Sequence, residues 1–175
     1  MDLVKKLHFV RSFPFWALNP AAFMVAIIVS ALDIKSSCHY AGRDARNPMP
    51  NQSAPEIEVL LAAYAAFNAR DTDAALATMT ADVAWPRAFK GGFVHGREAV
   101  RTYWTEQWSE ISPHVEPLAF YREDSGCILV GVHQIVRDLA GAVLADVHVG
   151  HRFTVEQGLI QKMEVCPPPP RGHRA

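Results

Sequence analysis

The stretch VLADVHVGHRFTVE, Val143–Glu156, alternates with a period of two. Its odd positions read Val143, Ala145, Val147, Val149, His151, Phe153 and Val155, and its even positions read Leu144, Asp146, His148, Gly150, Arg152 and Thr154. That pattern predicts a long strand with the odd set on the core face and most of the even set on a wetter face. His151 is the one ionisable side chain on the apolar face. Turn signals bracket the strand: Asp138-Leu139-Ala140-Gly141 before it and Gln157-Gly158 after it. The first predicts a hairpin with Gly141 left-handed. Beyond the turns lie Cys127–Arg137, apolar on both faces and so central, and Leu159–Val165, the last strand. Val115–Arg122 opens the run.

Helices precede the strands. Ser53 followed by Glu56 has capping-box spacing. Ile57, Leu60, Leu61, Tyr64 and Phe67 then recur at helical spacing as one apolar stripe, which ends at Asn68-Ala69-Arg70. Asp71 or Thr72 can cap a second, shorter helix running through Met79. Asp82–Trp85 reads as a short strand stopped by Pro86. The glycine-bearing stretch Pro86–Gly96 reads as a loop. A third helix is expected over Arg97–Ile111, with Val100, Tyr103, Trp104 and Trp108 on one side and Pro113 beyond its end. Helices followed by strands imply an α+β fold.

The chain has 175 residues, half of them apolar and 20% charged, so it can bury a core. Three organisational units are expected. Residues 1–52 form an N-terminal extension, 53–166 the domain, and 167–175 a proline-rich tail. The extension carries six basic and three acidic residues, and the domain nine basic and fifteen acidic. A domain with that excess of negative charge repels phosphate backbones, so nucleic acid is not an expected partner. Residues 12–32 are uncharged. They fit a cleaved secretory signal or a membrane anchor, either of which exports the domain. They equally fit a dispensable extension upstream of Met49, which leaves the protein cytoplasmic. The three cysteines, Cys38, Cys127 and Cys166, have neither disulfide-framework nor zinc-site spacing. No metal or cofactor is expected.

Four short words in order resemble the nuclear transport factor 2-like superfamily, and within it the SnoaL-like and ketosteroid isomerase-like branch. They are Tyr64-Ala65-Ala66-Phe67-Asn68-Ala69-Arg70-Asp71, Ala81-Asp82-Val83-Ala84-Trp85, His95-Gly96-Arg97-Glu98-Ala99-Val100, and Phe153 through Gln157-Gly158-Leu159-Ile160. The resemblance covers residues 53–166. It implies a cone-shaped, curved antiparallel sheet wrapped around three N-terminal helices, with an apolar pocket at the wide end. It also implies a homodimer formed through the outer sheet face. The fold hosts isomerases, cyclases, dehydratases, hydrolases and plain binding modules, so it does not fix an activity.

His151 falls where the resemblance puts a pocket aspartate in cyclases and isomerases. An imidazole there can serve as general acid or base, and burial favours its neutral form. Arg87 occupies the position of the isomerases' general base. A guanidinium cannot abstract a proton, but it can hold an anionic group or an enolate oxygen. The catalytic candidates are therefore His151 and Arg87. Tyr64, Trp85, Phe89, Trp104, His133, Phe153 and Met163 are the expected pocket wall. With Gly141 in the turn, residues 133 and 147 pair and His133 shares the face of His151; a register shifted by one puts His133 beside Asp146 on the other face. The expected ligand is a small, largely apolar carbonyl compound, handled either by a metal-free cyclase, isomerase or hydratase or by a non-catalytic binding module.

Overall fold

The computed structural model describes residues 54–87 and 91–169. Helix α1 spans Pro55–Ala69. Pro55 suits the first helical turn, where its missing N–H is not needed, and Glu56 and Glu58 complement the helix dipole there. Ala54 is the N-cap and gives no side-chain hydrogen bond; Ser53, the expected capping residue, lies outside the described residues. Arg70 ends the helix in the left-handed region at φ 61°. Its guanidinium offsets that strain by donating to Ser112 Oγ at 3.2 Å and Pro113 O at 2.9 Å, and it stacks 4.8 Å from the Trp108 ring. Asp71 caps the short helix α2, Thr72–Ala77, by accepting from the Ala74 N–H at 3.0 Å.

Strand β1 is Met79–Pro86, longer than the sequence pattern suggested, and β2 is Phe93–His95, formed inside the expected loop. Helix α3 spans Arg97–Glu110. The remaining strands are β3 (Ile111–Arg122), β4 (Ile128–Asp138), β5 (Val143–Glu156) and β6 (Leu159–Cys166). Strand β3 begins directly where α3 stops and runs through Pro113 and Pro117. Prolines are tolerated there because β3 is an edge strand.

The six strands form one sheet in the order β2-β1-β6-β5-β4-β3. It is curved and unclosed. The expected antiparallel sheet is in fact mixed: β1 and β6 run parallel, and all other neighbours are antiparallel. The chain enters β1 from α2 and returns beside it, in parallel, only after the four-strand meander β3–β6. The sheet's inner face packs on the helices. Ile57, Leu60 and Tyr64 of α1, and Val100, Tyr103 and Trp104 of α3, meet Val83, Val115, Val130, Val132, Val149, Phe153, Ile160 and Met163 in one core.

The hairpin between β4 and β5 turns as predicted, with Gly141 at φ 93°. Next to the turn, Arg137 pairs with Val143, which is the expected register. One residue later Val136 pairs with Ala145, so Leu144 is an extra residue, a β-bulge. From there on the register is shifted by one, and His133 pairs with His148 instead of Val147.

At the far end of β6 the chain crosses the outer face. Gly150 lies under Pro167 and Gly131 under Pro169; a Cβ built on Gly150 would stand 2.4 Å from the Pro167 carbonyl oxygen. Only glycine allows that approach. Among the described residues no helix is long and apolar enough to cross a membrane; residues 12–32 lie outside them.

Candidate functional site

A cavity opens between the inner sheet face and helices α1 and α3. Its wall is built from Ala63, Tyr64 and Phe67 of α1, Tyr103, Trp104 and Gln107 of α3, and side chains of every strand except β2. About 80 Å³ is open to water-molecule centres. At roughly 10–15 Å³ per water, this accommodates several waters or a small organic molecule.

Most of the wall is apolar and aromatic. Trp85 meets Trp104 edge-on at 5.3 Å and 88°, Phe67 meets Trp104 at 5.2 Å and 72°, and Tyr64 meets Phe153 at 6.0 Å and 84°. Edge-to-face pairs of this kind hold the rings in fixed orientations.

A polar pair is buried in this wall. The Tyr64 hydroxyl lies 3.0 Å from His151 Nδ1 in a buried hydrogen bond, and the two rings stack at 5.9 Å and 11°. The pairing follows from local structure. Tyr64 sits two turns into α1 on its buried stripe, and alternation along β5 turns His151 inward beside it. His151 is 6% exposed, the only buried polar or charged residue among those described. Burial pushes its imidazole down from 6.5 to about 4, so the ring is neutral at physiological pH. Burial likewise holds the Tyr64 phenol well above its usual 10. Among the described residues, His151 Nε2 has no hydrogen-bond partner.

A neutral imidazole bonded through Nδ1 has two tautomers. If Tyr64 O–H donates to Nδ1, then Nε2 carries the proton and is a donor. If Nδ1–H donates to the Tyr64 oxygen, then Nε2 offers a lone pair.

Of the residues singled out from the sequence, Tyr64, Trp85, Trp104, His151, Phe153 and Met163 come together on the cavity wall. Phe89 lies outside the described residues. His133 does not reach the cavity. The bulge at Leu144 places it on the outer face, where Nε2 lies 2.7 Å from Asp146 Oδ1 and Nδ1 lies 3.8 Å from Glu116. Its ring stacks on His148 at 5.0 Å and 16°. The hydrogen bond to Asp146, foremost, raises its pKa above 6.5. Arg87 also stays out of the cavity wall. Its Nε donates to the Gly91 carbonyl at 3.1 Å, and the backbones of Arg87, Gly91 and Gly92 close the loop around it. Its side chain braces its own turn.

The sequence pattern missed Phe67, Met79, Gln107 and Gln134 as wall residues. Tyr103 and Gln107 are four apart on α3, with Gln107 Nε2 donating to the Tyr103 hydroxyl at 3.3 Å, so helical spacing could have paired them. Gln134 was hidden by the register: the same bulge that turns His133 out turns Gln134 in. Among the described residues no group of three His, Cys, Asp or Glu is placed to hold a metal ion.

A curved, unclosed six-stranded mixed sheet packed on helices is the nuclear transport factor 2-like fold. The family model described as a SnoaL-like domain matches residues 60–163, more than half of the chain, and the chain belongs to that family. Solved structures agree on the fold. TerC, co-crystallised with polyporic acid, is 26% identical over 64% of this chain and 90% of its own, with a TM-score of 0.58. A Mycobacterium tuberculosis protein in complex with estradiol-17beta-hemisuccinate is 20% identical over 64% of this chain and 92% of its own, at 0.56. A Sinorhizobium meliloti protein described provisionally as a polyketide cyclase is 22% identical over 62% of this chain and 93% of its own, at 0.53. No curated protein matches the sequence significantly.

Proposed function

We propose that the cavity binds a small, largely apolar carbonyl compound, with His151 Nε2 as its polar contact. One observation carries this reading: Tyr64 occupies Nδ1, and the other ring nitrogen is unpartnered among the described residues on a side chain that lines the cavity. In the tautomer with Tyr64 donating, Nε2–H donates to the carbonyl oxygen. The aromatic wall excludes water and strengthens that bond. The polyporic acid co-crystallised with TerC and the estradiol-17beta-hemisuccinate bound to the Mycobacterium tuberculosis protein support small-molecule binding by this fold.

The second tautomer favours a catalytic version of the same site. With Nδ1–H donating to Tyr64, the Nε2 lone pair takes a proton from carbon, leaving an enolate, the opening step of an aldol-type cyclisation or an isomerisation; in a hydration the same lone pair takes the proton of the attacking water. An imidazole held at about 4 is a weak proton acceptor. The matching substrate is therefore one with an unusually acidic C–H, such as that between two carbonyls. Arg87 has no part in either version.

Quenching of tryptophan fluorescence tests binding, because Trp85 and Trp104 line the cavity. With 1-phenylbutane-1,3-dione as probe, saturable quenching and a raised melting temperature are expected, both weakened in His151→Phe. Absence of saturable quenching overturns the reading. Deuterium exchange at the central carbon of that probe separates catalysis from binding: exchange no faster than in buffer leaves a binding module. The resemblance also supports a homodimer through the outer face of β3–β5, which sedimentation of the full chain tests.

A further inference from the structure

The inner row of β4 reads Ile128, Val130, Val132, Gln134 and Val136, four aliphatic residues and one primary amide. Gln134 is half-buried and lines the cavity, and among the described residues its amide has no hydrogen-bond partner. The other cavity amide, Gln107, is already engaged with Tyr103. A primary amide offers two donors and an acceptor, and the apolar side chains around it supply a partner for none of them. The natural partner is a polar group of whatever fills the cavity.

Strand register places this amide relative to the dyad. Val130 faces His151 across the β4–β5 ladder, and Gln134 faces Val147 on the same side. Four residues along a strand cover about 13 Å. Gln134 and His151 therefore stand toward opposite ends of the sheet wall, on neighbouring strands, with Val132 and Val149 between them.

We infer that Gln134 is a second polar anchor of the pocket. The ligand is then an elongated, uncharged molecule with a hydrogen-bonding oxygen at each end, the two roughly 10 Å apart once both side chains reach inward. The anchors themselves argue for an uncharged ligand: one is a neutral amide and the other a neutral imidazole. Among the described wall residues there is no Lys, Arg, Asp or Glu to pair with a charge. This deepens the carbonyl-pocket reading and rests on it.

Two probes test the inference, 4-acetylbiphenyl and 4-acetyl-4'-hydroxybiphenyl, which differ by one hydroxyl at the end remote from the carbonyl. Tryptophan quenching gives both dissociation constants. In the wild-type chain the hydroxylated probe is expected to bind about five- to tenfold tighter, the gain of one net hydrogen bond. Gln134→Leu is expected to abolish that ratio, bringing the two dissociation constants together. Gln134→Met serves if the leucine variant does not fold. In the folded wild-type chain, the side-chain NH₂ resonances of Gln134 are expected to shift with the hydroxylated probe only. A ratio near one in the wild-type chain, or a ratio that survives both substitutions, overturns the role of Gln134 and leaves the pocket reading intact. If neither probe quenches, the pocket reading fails and takes this inference with it.

Discussion

The burial of His151 makes stability depend on pH in a calculable way. The unfolded chain protonates this imidazole near 6.5, whereas the folded chain resists protonation until about 4. Above 6.5 the ring is neutral in both states and has no effect. As pH falls through this window the unfolded state gains a proton that the folded state does not, so stability is progressively lost. The full loss, reached below about 4, amounts to roughly 3 kcal/mol, and roughly 2 kcal/mol of it has accrued by pH 5. The perturbation is His151→Gln, which keeps an acceptor for the Tyr64 hydroxyl and removes the titration. Urea unfolding at about pH 7.5 and about pH 5 gives the stability of each protein. Every other titrating group contributes to both, so the difference of differences isolates His151. The wild-type chain is expected to lose about 2 kcal/mol more than the variant over this interval. Parallel losses would show that the imidazole titrates normally and would refute the dry, neutral dyad. A ring resonance that moves with a midpoint near 6.5 would refute it independently.

Four further outcomes are expected. Tyr64→Phe leaves His151 Nδ1 without its partner at 3.0 Å and should cost about 1 kcal/mol in urea unfolding. Trp104→Ala, at a residue 1% exposed and packed against Trp85, Phe67 and Trp108, should cost about 3–5 kcal/mol in urea unfolding. Gly150→Ala forces the Pro167 carbonyl away from a Cβ that would stand 2.4 Å from it; a loss of roughly 1–3 kcal/mol is expected, detectable as a lower Tm. In an NMR titration His133 should titrate above 6.5 and return toward it in Asp146→Asn, because the hydrogen bond to Asp146 is the foremost cause of its raised pKa.

Element types followed from local pattern. Strand β5 begins and ends at the expected residues because alternation over fourteen positions and a turn at each end leave little choice. Asp71 capped α2 as its side-chain chemistry suggests. Boundaries slipped where local signals were weak: β1 begins at Met79 and not Asp82, because Met79 pairs with Ile160 of β6. The parallel β1–β6 pair had no local signature at all, since it joins segments about eighty residues apart. In the site, Tyr64 and His151 were legible as inward-facing residues of a helix stripe and an alternating strand. Their mutual hydrogen bond was not, because it spans 87 positions of sequence.

The amino-acid order by itself determined that helices precede a meander of strands, that one imidazole lies on a greasy strand face, and that the hairpin turns at Gly141. These depend on interactions within a few residues. Tertiary structure decided which of two adjacent β4 side chains enters the cavity. A single extra residue, Leu144, slips the β4–β5 ladder by one. Because strand side chains alternate, that slip sends His133 to the outer face and admits Gln134. A bulge forms where Ile111, Val136, Leu144 and Ala145 pack together, contacts between three strands that no local window of sequence contains.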